Sequence, residues 1–162
     1  MTAIERTAYP RFTRAPTAGE LRDHYTPTED EQRFARRTAR RLEQRFQLLV
    51  QLKTFQRLGY FLPLDAVPSE ISTHVGACLG LPPDEPVGYS EPRTLYRHQA
   101  AIRTFLTVIA DNKQALHIAT HAVFDAAQRM DYPADLINVA LETLIKERFE
   151  LPAFRSHLIN GW

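Results

Sequence analysis

The segment that decides the fold runs from His24 to Phe61 and reads HYTPTEDEQRFARRTARRLEQRFQLLVQLKTFQRLGYF. Its start predicts a helix, because Thr26 can act as the N-cap, Pro27 suits the first turn and Glu29 completes a Thr-x-x-Glu capping box. Six arginines then follow within thirteen residues: Arg33, Arg36, Arg37, Arg40, Arg41 and Arg45. This density is typical of a surface that docks on a phosphate backbone, although a solvated helix face has a similar composition.

The second part of the segment predicts a helix at the centre of a core. Apolar residues cover well over half of the circumference between Leu42 and Leu58, leaving a polar stripe of Gln44, Gln47, Gln51 and Thr54. A helix that is apolar on most sides is buried. Gly59 is placed to end it, and we expect the arginine-rich helix to break near Thr38.

The remaining apolar residues repeat every three or four positions, which predicts further helices. A capping box of Thr17 and Glu20 starts a short helix that ends near His24. Four more helices are marked by apolar positions: Ile71, Val75, Cys78 and Leu79; then Leu95, His98, Ile102, Phe105 and Ile109; then Leu116, Ala119, Val123, Ala127 and Met130; and finally Ile137, Ala140, Leu141, Leu144 and Ile145. Because no strand-like alternation persists, the predicted fold is all-α with six or seven helices.

Prolines suggest how the chain is organised. Residues 1–16 contain two prolines and scattered arginines without periodicity, which favours an extended basic arm. Residues 17–162 are expected to form one compact helical domain. Two proline-containing segments, 62–66 and 81–92, mark places where it can divide into lobes over 17–62 and 67–158 with helix-turn-helix-like packing.

Composition limits the class of protein. Residues 1–61 carry 12 Lys and Arg against 7 Asp and Glu, whereas residues 62–162 carry 8 against 12, so a basic first part precedes an acidic remainder. A basic region of this kind hints at a polyanionic partner. The one cysteine, Cys78, excludes an internal disulfide framework and fits a reducing compartment. No apolar run is long enough to cross a membrane, and the first residues lack a secretory signal, so we expect a cytoplasmic protein without a membrane partner.

Catalytic patterns are weak in this sequence. His117 and His121 are spaced as in the HExxH zinc signature, but Ile118 occupies the position of the catalytic glutamate. No glycine-rich phosphate loop, nucleophile elbow or embedded carboxylate pair is present. We therefore expect no enzymatic activity, no metal and no cofactor for this chain. A small metal enzyme that uses the two histidines is the least favoured alternative.

Six short segments follow one another along residues 11–158: RFT at Arg11–Thr13, LRDHYTPTEDE at Leu21–Glu31, QLKTFQRLGYF at Gln51–Phe61, VPSEISTHVGACLGL at Val67–Leu81, EPRTLYRHQAAIR at Glu91–Arg103 and LINVALETLIKERFELPAF at Leu136–Phe154. Together they resemble the N-terminal region of the Tn-three family of transposases, which move large bacterial transposons replicatively. The resemblance implies a module that binds double-stranded DNA at the terminal inverted repeats of the element. In that family a metal-dependent nuclease domain far downstream cleaves and joins the strands, so no catalytic residue is carried onto this chain.

The arginines are the candidate DNA contacts. The main phosphate or base contacts are expected within the block Arg33, Arg36, Arg37, Arg40, Arg41 and Arg45, above all at its four middle members. Arg93 and Arg97 form a second set on the outer side of a later helix, and Arg11 and Arg14 on the arm are candidates for a minor groove. The stem of Arg45 is also expected to cover apolar surface.

Two alternatives to this interpretation stay open. In the first, Asp30, Glu31 and Glu43 pair with Arg33, Arg37 and Arg40, so that the arginine block is only a solvated face. In the second, the chain is a protein-interaction or oligomerisation module whose acidic C-terminal half docks a partner or another transposase protomer.

Overall fold

The computed structural model describes residues 7–153, which form seven α-helices and no strand. The helices are α1 (Ala18–Glu20), α2 (Glu29–Thr38), α3 (Leu42–Leu58), α4 (Ser69–Cys78), α5 (Pro92–Leu106), α6 (Asn112–Ala126) and α7 (Pro133–Lys146). Helix α1 continues directly into a π-helical turn at Leu21–Tyr25, and a 3₁₀ turn covers Leu64–Ala66. The predicted all-α fold is confirmed. None of the helices within the described range is long and apolar enough to cross a membrane.

Two compact units make up the described chain. The first unit spans residues 11–106, and the second combines residues 7–10 with residues 107–153. The division falls between Leu106 and Thr107, whereas the sequence suggested boundaries at 62–66 or 81–92. Both of those segments lie inside the first unit. Residues 1–6 of the expected arm, and the last residues of the resembling region beyond Ala153, lie outside the described part of the chain.

Helix α3 is the centre of the first unit. Every residue from Phe46 to Phe55 is buried, including the polar side chains Gln47, Gln51 and Thr54. Helices α2, α4 and α5 all contact it. The predicted bounds of α3 are confirmed, and Gly59 ends it with a φ of 76°, a left-handed conformation that glycine adopts without a steric penalty.

The N-cap of α2 differs from the prediction. The cap is Thr28 rather than Thr26, and its hydroxyl accepts from the backbone N–H of Glu31 while the Glu31 carboxylate accepts from the backbone N–H of Thr28. The sequence holds two overlapping capping boxes, and the second one forms because Glu31 is buried and also accepts hydrogen bonds from Lys53 and Gln56. Thr26 instead lies 2.8 Å from His74 Nε2.

The proline-rich loop between α4 and α5 is attached to the core of the first unit. Gln47 Nε2 donates a hydrogen bond to the carbonyl oxygen of Gly88. Next to it, Tyr89 Oη lies 2.6 Å from His98 Nδ1, and the two rings meet edge to face. The loop is therefore joined to the first half of α3 and to the middle of α5.

The second unit is built on the paired helices α6 and α7. Its buried apolar side chains include Leu141, Leu144, Phe149 and Leu151. Four residues expected on the apolar sides of these helices are exposed instead: Leu116, Ala127, Met130 and Ile145. Two helices facing each other bury only a narrow stripe of each, so a broader apolar face extends beyond the contact.

Candidate nucleic-acid interface

The arginine block occupies the corner at which α2 turns into α3. Only Ala39, Arg40 and Arg41 connect the two helices, and Ala39 is buried while both arginines are exposed. The side chain of Arg45 reaches back across this corner, where its Nε donates a 2.9 Å hydrogen bond to the carbonyl oxygen of Ala39. Arg45 is half-buried and acts as a structural residue of the corner, as its position beside the apolar helix suggested.

Four arginines at this corner have side chains in solvent. They are Arg36, Arg37, Arg40 and Arg41. Within residues 7–153, none of their side chains forms an ion pair or a hydrogen bond with another residue. Arg33 is different, because its guanidinium lies 2.9 Å from Asp30 and 3.2 Å from Glu29. The pairing alternative is thus correct for Arg33 alone, since Glu31 turns inward to Lys53. The remaining four cations are available to an external anion.

The second set, Arg93 and Arg97, lies in the first half of α5. Both are exposed, and neither forms an ion pair or hydrogen bond within the described chain. The third arginine of this helix, Arg103, is half-buried and packs over the ring of Phe61, with 4.9 Å between the guanidinium carbon and the ring centroid. Sequence reasoning therefore assigned Arg93 and Arg97 to the outer side correctly.

The corner and the start of α5 lie at one end of the first unit. Gln47, early in α3, is joined through Gly88 and Tyr89 to His98 in the middle of α5. Further along, Phe55 packs against Phe61, which in turn lies under Arg103. The contacts therefore follow the same order along α3 and α5, which places the first turns of both helices towards one end of the unit. Arg41, the N-cap of α3, and Arg93, the second residue of α5, are both exposed.

The two arm arginines considered as DNA contacts, Arg11 and Arg14, belong to the first unit. Arg14 forms a bidentate ion pair with Glu20, with N···O distances of 2.8 and 2.9 Å. The Arg14 hydrogen bonds, followed by the backbone N–H of Thr17, lower the pKa of Glu20 to about 2. Arg11 is exposed and lines a surface cleft together with Arg14, Glu20 and Arg57. Sequence reasoning did not single out Arg57. Arg14 would have to leave Glu20 before it could contact DNA.

A buried polar pair supports the start of α5. His98 has no exposed surface, and burial, with a smaller contribution from Arg97, lowers its pKa to about 4. Burial also raises the pKa of Tyr89 above the usual range of a phenol. Both side chains are therefore neutral near pH 7. They position α5, and His98, which is fully buried, cannot meet a nucleic acid.

The histidines considered for a metal site lie on the surface of the second unit. His117 and His121 are exposed on α6, and His121 Nδ1 lies 3.2 Å from Asp125 Oδ2. Among residues 7–153 no group of three or more His, Cys, Asp or Glu side chains is arranged to hold a metal ion.

Sequence reasoning missed one feature of α5. Tyr96 is 67% exposed between the two exposed arginines, and the outer side of the helix continues through Ala100 and Thr104. No acidic residue occurs between Pro92 and Ala110. This signal is visible in the sequence, but only the burial pattern shows which of these residues share the outer side.

Comparison with curated proteins gives no match, and neither does comparison with solved structures. One family model does match, over residues 1–156, and so covers nearly all of the chain. The chain therefore belongs to the family described as domain of unknown function DUF4158.

Proposed function

We propose that this protein binds double-stranded DNA through the arginine-bearing end of its first unit, and that it does so without catalysing a reaction. The observation that carries the proposal is the set of four exposed arginines at the α2–α3 corner that have no partner within the described chain. Arginine forks match phosphate oxygens in charge and geometry. An arginine that is not neutralised by a neighbouring carboxylate gains the most interaction free energy from a phosphate.

The shape of the end supports a duplex as the partner. Arg36, Arg37, Arg40 and Arg41 cover the last turn of α2 and the corner, and Arg93 and Arg97 extend the basic surface to α5. Phosphates on one DNA strand are about 7 Å apart in space and carry one charge for each 3.4 Å along the axis, so several of these arginines can meet successive phosphates. Such contacts fix the orientation of a protein on DNA.

The resemblance to Tn-three transposases suggests which DNA is bound. Two of the segments that carry it lie close to these arginines in the sequence. Leu21–Glu31 directly precedes the arginine block, and Glu91–Arg103 contains Arg93 and Arg97. We therefore propose that the target is the terminal inverted repeat of a transposon and that the protein acts as a recognition module in transposition.

An electrophoretic mobility shift tests this function. The full chain is titrated into a duplex that carries the end of the element encoding it, and into a scrambled duplex of the same composition, at several salt concentrations. We expect tighter binding to the end, with log affinity falling against log salt at a slope of about −3.6 if about four phosphates are neutralised. Absence of binding to either duplex at low salt would contradict the proposal.

A second candidate function is self-association through the second unit. Leu116 and Phe124 are 69% and 68% exposed on α6, and Ile145 is 55% exposed on α7. Large exposed apolar side chains on both paired helices favour burial against a second copy of the chain. Sedimentation equilibrium of the unaltered protein and of Phe124→Glu separates the two functions: a dimer that dissociates in the variant, together with no DNA binding, would favour self-association.

A further inference from the structure

The position of α3 excludes it as a helix that lies along a DNA groove. In helix-turn-helix proteins the second helix of the pair enters the major groove. Here the second helix is α3, whose residues from Phe46 to Phe55 are buried by the helices around it. Its exposed residues lie at its two ends, Leu42 and Glu43 in the first turn and Gln56 and Arg57 in the last. The α2–α3 corner can thus hold phosphates, but base edges must be read by another element.

Helix α5 has the surface that such an element needs. After its first residue, α5 exposes Arg93, Tyr96, Arg97, Ala100 and Thr104, and also Phe105, whose ring is stacked on Phe34. At about 100° per residue the first five of these positions fall within an arc of about 100°, and His98 and Ile102 lie on the opposite, buried side. The exposed stripe from Arg93 to Thr104 is about 16 Å long at 1.5 Å per residue. It therefore matches about five base-pair steps of 3.4 Å.

The chemistry of this stripe fits a major groove. Two arginines supply forks that can bind guanine O6 and N7, and Ala100 and the methyl group of Thr104 suit contact with thymine methyl groups. Tyr96 can donate its hydroxyl hydrogen to a phosphate at the groove edge. Small side chains in the second half of the stripe let the backbone approach the bases. The helix itself contains no carboxylate that would repel DNA, and the nearest one, Glu91, precedes its first residue.

The rest of α5 is fixed before any ligand binds. Phe105 stacks on Phe34 of α2 with ring centroids 4.3 Å apart, and His98 is held by Tyr89. These contacts tie both halves of the helix to the first unit. A rigid element positions its side chains more accurately than a loop does.

We infer that α5 is the helix that reads base pairs, through Arg93 and Arg97, in the major groove of the duplex whose phosphates the α2–α3 corner holds. The inference rests on the proposed function and goes beyond it, because it assigns sequence discrimination and overall affinity to different elements. Arginines of the corner determine how tightly any duplex is bound. Arginines of α5 determine which duplex is preferred.

The experiment separates discrimination from affinity by exchanging arginine for lysine. Lysine keeps the charge but loses the planar fork that binds guanine at two atoms. The probe is the duplex that the unaltered full chain selects from a random 30-base-pair library, compared with a scrambled duplex. The variants are Arg93→Lys and Arg97→Lys, and the matched control is Arg22→Lys, an exposed arginine of the π-helical turn. Far-ultraviolet circular dichroism verifies that all of them are folded.

We expect each α5 variant to lower the ratio of affinities for the selected and scrambled duplexes by about tenfold, which is the usual loss for one bidentate base contact. The slope of log affinity against log salt should stay unchanged, and Arg22→Lys should alter neither quantity. If both α5 variants kept the full ratio of affinities for the selected and scrambled duplexes, α5 would not be the helix that reads base pairs. The proposal that the protein binds DNA would stand. Equal binding of all duplexes by the unaltered protein would likewise overturn only this inference, whereas absence of all binding would overturn the proposed function with it.

Discussion

Lys53 Nζ lies 3.1 Å from Glu31 Oε2 inside the first unit, where both residues are only 6% exposed. Glu31 also completes the cap of α2 and accepts a 2.8 Å hydrogen bond from Gln56. One carboxylate thus joins the first turn of α2 to the second half of α3. The orientation of the arginine corner depends on this connection.

Breaking the pair from the lysine side should destabilise the protein strongly. In Lys53→Met the carboxylate of Glu31 stays buried without its ammonium partner, so the free energy of unfolding should fall by about 3 kcal/mol or more. Urea unfolding measures the loss. The double variant Glu31→Gln with Lys53→Met removes the uncompensated charge and should recover part of the stability. Equal stability of Lys53→Met and the unaltered protein would show that the pair contributes nothing.

Removing two corner arginines should reduce the salt dependence of DNA binding. If Arg36 and Arg40 both contact phosphate, the variant Arg36→Ala with Arg40→Ala should lower the magnitude of the salt slope by about two. Helix content should persist, because Arg36 of α2 is replaced by the better helix former and Arg40 lies outside the helices. The matched control is Arg33→Ala, whose arginine is already paired with Glu29 and Asp30. A double variant that keeps the original slope would show that these arginines form only a solvated face.

Stability should depend on pH through His98. Its pKa is lowered from 6.5 to about 4 in the folded protein, so between these values the unfolded chain binds a proton that the folded chain does not. The stabilisation is complete above about pH 6.5 and is lost as the pH falls towards about 4, by about 3 kcal/mol in total.

The comparison with His98→Gln isolates this effect, since glutamine keeps a polar partner for Tyr89 and does not titrate. We expect the unaltered protein to lose more unfolding free energy than the variant between pH 6.5 and pH 4. His117→Gln, which removes an exposed histidine of α6, serves as the control and should behave like the unaltered protein. Parallel pH profiles of the unaltered protein and His98→Gln would contradict the assignment.

The identity of the α2 cap can be tested by a pair of threonine variants. Thr28→Ala removes the hydroxyl that accepts from the Glu31 N–H and should cost about 1 kcal/mol of unfolding free energy. Thr26→Ala removes an exposed contact with His74 and should cost about half as much or less. Thermal unfolding distinguishes the two variants. The reverse order of melting temperatures would restore Thr26 as the cap.

Local sequence patterns predicted the helices well. They did not show which of two similar capping boxes would form. The apolar circumference of α3 and the position of Gly59 gave its bounds, since both signals are local. Two capping boxes overlap at Thr26 and Thr28, and the choice between them depends on Lys53, which lies 22 residues beyond Glu31. Such a distant partner cannot be identified from spacing alone. For the same reason, helical spacing alone did not predict that Leu116 would be exposed.

The candidate interface was predictable in its charge and less so in its geometry. The density of arginines in the sequence was enough to identify the block. It did not show that local ion pairs with Glu29 and Asp30 neutralise Arg33. It also did not show that Arg45 stabilises the α2–α3 corner through its hydrogen bond to the Ala39 carbonyl. The outer stripe of α5 required the burial of His98 and Ile102 to be known before its members could be grouped.

The hydrogen bond from Arg45 to the Ala39 carbonyl has a consequence for the thermodynamics of association. It fixes the three connecting residues between α2 and α3 in the free protein, so the corner is preorganised. The conformational entropy of these residues is therefore lost when the protein folds, and not when it binds a ligand. Ordering a backbone residue costs about 1–2 kcal/mol, so a flexible connection of three residues would weaken binding by roughly 3–6 kcal/mol. At 1.4 kcal/mol for each tenfold change, that difference corresponds to about a hundredfold to ten-thousandfold in affinity.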